Sequence, residues 1–197
     1  MPRSYSYSAE FDDETEKLLR NAEFLGEGHN GIVFDLPGDR ILKIFTEDKC
    51  CKEEGETLRK VSKSKYFPTI YVFKSNYIIR EKVYGKRLDE HIRENGLTFN
   101  MAKNIYDLLN EFKRLNFTKI DTRCKDIYVD VDGDKIMLID PKHCYRRNVK
   151  YPRHLLKGLN KVGVLKKFLY YIKTIDRKTG LYWEKSFNNY QKEKEIL

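Results

Sequence analysis

Apolar positions follow two different rhythms along the chain. From Glu23 to Lys43 short apolar runs alternate with glycine (EFLGEGHNG, IVFDL, RILKIF), and Pro37-Gly38-Asp39 separates the last two runs. That pattern predicts strands and a hairpin. IYVFKS and YIIREKVYG predict a second strand pair, and DIYVDVDGDKIMLID a further hairpin around Asp132-Gly133-Asp134. Elsewhere the period is helical. Residues 12–21 predict a short exposed helix, and residues 47–63 a longer one with Leu58 and Val61 at i and i+3. RLDEHIREN predicts a short helix, after which Thr98 caps one carrying Met101, Ile105, Leu108, Leu109 and Phe112 on one face. Beyond Pro152 the helical rhythm runs through Leu155, Leu159 and Val162, then Leu165, Phe168, Leu169 and Ile172, with Gly158 and Gly163 as weak points. A strand-rich first part with one helix therefore precedes a largely helical second part with one hairpin, a two-lobed α+β plan.

Length and composition narrow this picture. A chain of 197 residues is of single-domain size, and no repeat, low-complexity tract or linker divides it. Charged residues make up 35%, and no apolar run approaches the roughly 18 residues of a membrane span. MPRSYSYSAEFDDETE holds no signal-like apolar stretch, so a soluble, cytoplasmic protein is expected. Cys50, Cys51, Cys124 and Cys144 show neither CxxC spacing nor the density of a secreted scaffold, which predicts reduced thiols, with adjacent Cys50 and Cys51 as oxidation sites. The net charge of +9 is uneven: Lys and Arg against Asp and Glu number 24 to 26 in residues 1–140 but 15 to 4 in residues 141–197. Such a segment suits an acidic protein substrate, nucleic acid or an anionic membrane, or it is a solvated helix face.

Three groups of residues point to chemistry. Gly26, Gly28 and Gly31 in GEGHNGIV lie between predicted strands, where glycine lets a backbone turn approach phosphate oxygens. A strand follows, whereas the dinucleotide-binding version of this motif opens a helix. Lys43 sits in RILKIF with apolar neighbours on both sides, either as a solvent-facing strand residue or as the partner of a helix carboxylate. Glu54, eleven residues on, is that carboxylate, with Glu53 and Glu56 as competitors. Finally, Asp121 and Asp126 are five apart before a hairpin that Asp140 closes. Aspartates in turns are ordinarily turn formers; this layout also suits two Mg²⁺ ions and a substrate hydroxyl.

From about Phe24 to Pro141, and more loosely to Ile175, the chain resembles a minimal bacterial member of the protein-kinase superfamily. GEGHNGIV fits the GxGxxGxV loop, Lys43 the ATP-orienting lysine and Glu54 its partner; EKVYGKRL resembles the hinge, and DTRCKDI the D-x-x-x-x-N-I catalytic loop. The resemblance implies a kinase-like fold with a small N-terminal β-sheet lobe plus one helix and a truncated, mainly helical C-terminal lobe. It places an N-terminal extension at 1–22, the N-lobe at about 23–80, the hinge at about 81–85, the C-lobe at about 86–175 and a tail at 176–197. It implies ATP binding by Gly26, Glu27, Gly28, His29, Asn30, Gly31, Val33, Lys43 and Glu54, with the backbone near Glu81 and Val83 meeting adenine. Asp121 is then the catalytic base, Arg123 joins Lys43 at the γ-phosphate, and Asp126 and Asp140 hold Mg²⁺ or Mn²⁺.

The pattern departs from the family in several places. Lys119-Ile120 replaces the His-Arg before Asp121, Asp126 replaces asparagine, Pro141-Lys142 follows Asp140, and Arg80 stands near the gatekeeper position. No A-P-E motif follows. The expected activity is an ATP- and Mg²⁺-dependent serine/threonine protein kinase. The alternatives are a small-molecule kinase of the same fold, a catalytically weak ATP-binding regulator, and a basic interaction module.

Overall fold

The structure is a computed structural model that describes residues 10–141 and 143–195. Residues 1–9, which begin the stretch read for a signal, and Lys142 lie outside the described residues. The chain divides into two compact units, Met1–Val83 and Tyr84–Leu197. Mixed α+β architecture, with an antiparallel five-stranded sheet and seven helices among the described residues, agrees with the fold class expected from the sequence.

In the first unit the strands β1 (Glu23–Gly28), β2 (Gly31–Leu36), β3 (Arg40–Phe45), β4 (Ile70–Phe73) and β5 (Tyr77–Glu81) pair in the order β1-β2-β3-β5-β4. β3 is central, and it is buried on both faces: Ile41, Leu42, Ile44 and Phe45 are all core residues. One face, with Leu36, Leu42, Ile44, Tyr77 and Ile79, packs on Phe11, Leu18 and Leu19 from α1 (Asp13–Leu19) and the residues before it. Val33, Lys43 and Ile78 are directly opposite one another in the register and so share the other face. Helix α2 (Asp48–Lys60) buries Glu54 and Leu58, and Gly55 lets it close on β4, since a Cβ there would stand 2.5 Å from the Phe73 ring.

The second unit opens with β6 (Lys86–Arg87) and α3 (Leu88–Asn95), followed by α4 (Phe99–Arg114). Thr98 caps α4 as expected, its hydroxyl accepting from the Met101 N–H at 3.1 Å, and Met101, Ile105, Leu108, Leu109 and Phe112 are buried. The hairpin of β7 (Ile127–Val129) and β8 (Ile136–Leu138) is shorter than the sequence predicts. Asp130 shortens it, because Oδ1 accepts from the N–H groups of Asp134 and Lys135, which would otherwise extend the ladder.

Helices α5 (Arg153–Lys161), α6 (Leu165–Ile175) and α7 (Arg177–Glu195) complete the unit. Gly158 is no weak point in α5: a Cβ there would lie 2.5 Å from Cys124 Sγ, so glycine permits the helix to rest on the loop beneath it. Gly163, at φ +78, ends the helix in the left-handed region that glycine tolerates. The segment read as a tail is largely α7, anchored by Trp183 and Phe187, with Trp183 stacked on Phe168 at 6.3 Å. Only two apolar anchors in a polar helix explain why its periodicity is faint. Among the described residues no helix is long and apolar enough to cross a membrane.

Candidate active site

In the first unit, β1 and β2 meet at a two-residue turn, His29-Asn30, with Gly28 paired to Gly31 and Glu27 to Ile32. The Asn30 carbonyl accepts from the Thr46 N–H at 3.1 Å, which ties the turn to the end of β3. The glycines here have different reasons to be glycine. A Cβ on Gly31 would stand 1.9 Å from the Ile44 carbonyl oxygen, so strand packing forbids any side chain. A Cβ on Gly28 would meet nothing nearer than 4.0 Å, and its backbone is outside the left-handed region. Neither packing nor conformation requires glycine at 28.

Lys43 faces away from solvent. Its Nζ lies 2.6 Å from Glu54 Oε2, with side-chain exposures of 12% and 3%, and sits 4.6 Å from the Phe45 ring centroid. Of the three helix carboxylates that could compete for this lysine, only Glu54 is buried on α2; Glu53 is half-buried and Glu56 exposed. Val33 stands opposite Lys43 on β2. Glu81 ends β5, where its N–H donates to the Thr69 carbonyl and its carbonyl accepts from Arg80 Nη1 at 2.9 Å. Arg80 is itself buried, and its guanidinium rests on a backbone carbonyl within the segment that the hinge reading gives to adenine. Val83 is half-buried at the end of this unit.

In the second unit, Asp121, Arg123, Asp126, Asp140 and His154 line one cavity of about 230 Å³. Arg123 donates through Nε and Nη2 to both oxygens of Asp126, at 2.6 and 2.8 Å, and its Nη2 lies 3.8 Å from Asp140 Oδ2. The guanidinium, whose pKa is raised chiefly by the hydrogen bonds to Asp126, thus holds a positive charge against both carboxylates. Asp126 and Asp140 bring to one cavity the hard carboxylate oxygens that Mg²⁺ takes together with substrate phosphates, and here Arg123 occupies the Asp126 oxygens that the metal would take over. Among the described residues no three His, Cys, Asp or Glu side chains gather into a metal cage.

Asp121 is placed differently from the other two aspartates. Its side chain has no exposed surface, and its oxygens accept from the N–H groups of His154, at 3.0 and 3.2 Å, and Leu155, at 3.3 Å. It therefore caps the first turn of α5. Oδ2 also meets His154 Nδ1 at 2.5 Å, while the His154 side chain is 47% exposed. Sequence reading passed over His154. Its only local signal is its place just after Pro152 at a helix start, because the aspartate that holds it lies 33 residues earlier.

Of the thiols, Cys144 lines the cavity of the second unit, and two others are held in the interior. Cys51 is buried, donates to the Lys74 carbonyl at 3.4 Å and has its pKa pushed up to about 12, mainly by burial. Cys124 is likewise raised to about 12 by burial. Cys51 is therefore no ready oxidation site.

No family model matches the chain, and no curated protein matches it. Among solved structures, the streptomycin-ATP-APH(2")-IIa ternary complex matches with a TM-score of 0.40 and 16% identity. The match covers 54% of this chain and 40% of that one.

Proposed function

We propose that the protein is an ATP-dependent phosphotransferase that passes the γ-phosphate to a hydroxyl group, with serine or threonine of an acidic protein as the acceptor. The observation that carries this reading is the Lys43–Glu54 pair, buried in the middle of the central strand. A buried ion pair contributes little to stability compared with apolar residues of the same size, so its retention is best explained by what the lysine does. Lys43 is held ready for phosphate oxygens, and the Gly28 backbone, with no structural demand for glycine, leaves room for them.

In the second unit Asp126 and Asp140 would hold Mg²⁺ or Mn²⁺. When bound, the metal supplies charge neutralisation for the β- and γ-phosphates. Arg123 supplies a further positive charge on the same cavity, and Asp121 belongs to the group that meets the acceptor hydroxyl. A small anionic alcohol is the second reading, favoured by the modest volume of that cavity and by Lys119 and Arg147 in its wall. The acidic-protein reading is favoured by the basic excess of residues 141–197, of which Lys157, Lys161, Lys166, Lys167, Arg177 and Lys178 are exposed.

Incubation with radiolabelled ATP and Mg²⁺ or Mn²⁺, alone and with casein, tests the reading beside an Asp140→Asn control. Label transferred by the native chain and lost in the control is the expected result. An absence of both label transfer and ATP-dependent thermal stabilisation would overturn it.

A further inference from the structure

We propose that His154, rather than Asp121, takes the proton from the acceptor hydroxyl, with Asp121 acting as its positioning residue. The inference rests on the phosphotransferase reading above and names the group that completes it.

Reach decides between the two residues. A general base must come within about 2.6–3.2 Å of the proton it removes. The Asp121 side chain has no exposed surface, and both its oxygens are engaged by backbone N–H groups of α5 and by the His154 ring. His154 is nearly half exposed and lines the cavity that holds Asp126 and Asp140. The carboxylate accepts hydrogen bonds from backbone N–H groups, so at the 2.5 Å contact it is the acceptor and Nδ1 the donor. In the neutral ring this contact puts the proton on Nδ1 and the lone pair on Nε2.

Two further features hold the ring in place. His154 donates its own backbone N–H to the carboxylate that binds its side chain, so main chain and ring are clamped by one group. Gly158, one turn on, seats the same helix against Cys124 in the loop that carries Asp126. The ring is therefore fixed relative to the carboxylates of the cavity by contacts within a single unit.

In the step itself, the acceptor oxygen forms a bond to the γ-phosphorus while the bond from that phosphorus to the β,γ-bridging oxygen breaks. The electron pair of the broken bond stays on the departing nucleoside diphosphate. The hydroxyl proton passes to His154 Nε2 and is later released to solvent, so charge and atoms balance. Asp121 takes no proton and stabilises the imidazolium that forms.

The test uses the full chain with ATP, Mg²⁺ and casein, comparing native protein with His154→Ala and His154→Gln. ATP affinity and thermal midpoint are measured on each, since the exposed ring contributes little to the core. The expected result is a fall in kcat of about 100-fold or more with ATP affinity unchanged. Added imidazole should restore part of the lost rate in His154→Ala in a saturable way and do nothing for the native chain. Native-like kcat in His154→Ala would overturn the inference and leave the phosphotransferase reading standing. A slow His154→Ala that imidazole does not rescue would also overturn it, because the ring would then serve structure alone. Failure of the native chain to bind ATP or transfer phosphate would instead remove the underlying reading.

Discussion

The two units hold their buried charges in opposite ways. In the first, Lys43 and Glu54 face each other in an apolar setting, contributed by one strand and one helix. In the second, Asp121 is wrapped by three backbone contacts and a histidine, and Asp126 by a two-pronged arginine. An ion pair across two elements depends on both its members, so removing the lysine takes a counter-charge away from Glu54. A carboxylate embedded in N–H donors is instead part of the scaffold, and its loss is felt first by the helix that it caps.

The sharpest way to break this contrast is a matched set of substitutions. Lys43→Met should cost about 3 kcal/mol, because Glu54 is left buried without its counter-charge. Adding Glu54→Leu should recover most of that loss, since two apolar residues of similar size replace the pair. Asp121→Ala should cost about 2 kcal/mol, the upper range for a lost cap, and no single compensating change should recover it. Urea unfolding measures all three. Equal recovery in both units, or none in the first, would show that the two arrangements do not differ as described.

A smaller effect separates the glycines of the first unit. Gly31→Ala should destabilise by about 1–3 kcal/mol, as an overpacked site does, because the new methyl group would collide with the Ile44 carbonyl. Gly28→Ala should change stability by less than about 0.5 kcal/mol and weaken ATP binding several-fold. Thermal melts with and without ATP give both numbers. If Gly28→Ala melts as native does and binds ATP undiminished, that glycine does not serve the nucleotide.

The smallest effect concerns acid. Asp176 lies before α7, where Thr179 and Tyr106 bond to its carboxylate and lower its pKa from 3.8 to about 2, the Thr179 side chain being the largest cause. A depressed folded pKa means stability that is present above the unfolded value near 3.8 and lost as pH falls through about 2. The native chain should therefore lose stability relative to Asp176→Asn between about pH 4 and pH 2. Parallel unfolding curves for the two proteins over that range would remove this contribution.

The same contrast explains what the sequence disclosed. Strand alternation, glycine punctuation and Thr98 before a helical stripe are local signals, and they located β2, β3, α2 and α4 closely. Lys43 and Glu54 are eleven residues apart with regular elements at both ends, so period alone brings them into view. Asp121 and His154 are joined across a hairpin and an irregular stretch, and nothing in either neighbourhood announces the other. Arg80 shows a second kind of silence: the strand pattern does not say where its side chain goes, and it is buried with its guanidinium on the neighbouring carbonyl. Gly158 and α7 were obscured for a third reason, since close packing and sparse anchoring leave no periodic trace.

Trp183 is the sole tryptophan in the chain, and it lies buried in α7 between Phe168 and Tyr106. Its fluorescence therefore reports one unit and is blind to the other. Emission excited near the red edge of tyrosine absorption follows the docking of α7, whereas far-ultraviolet circular dichroism follows both units together. Two denaturation curves from one sample thus become an optical test of whether the sheet-bearing unit and the helical unit melt as one.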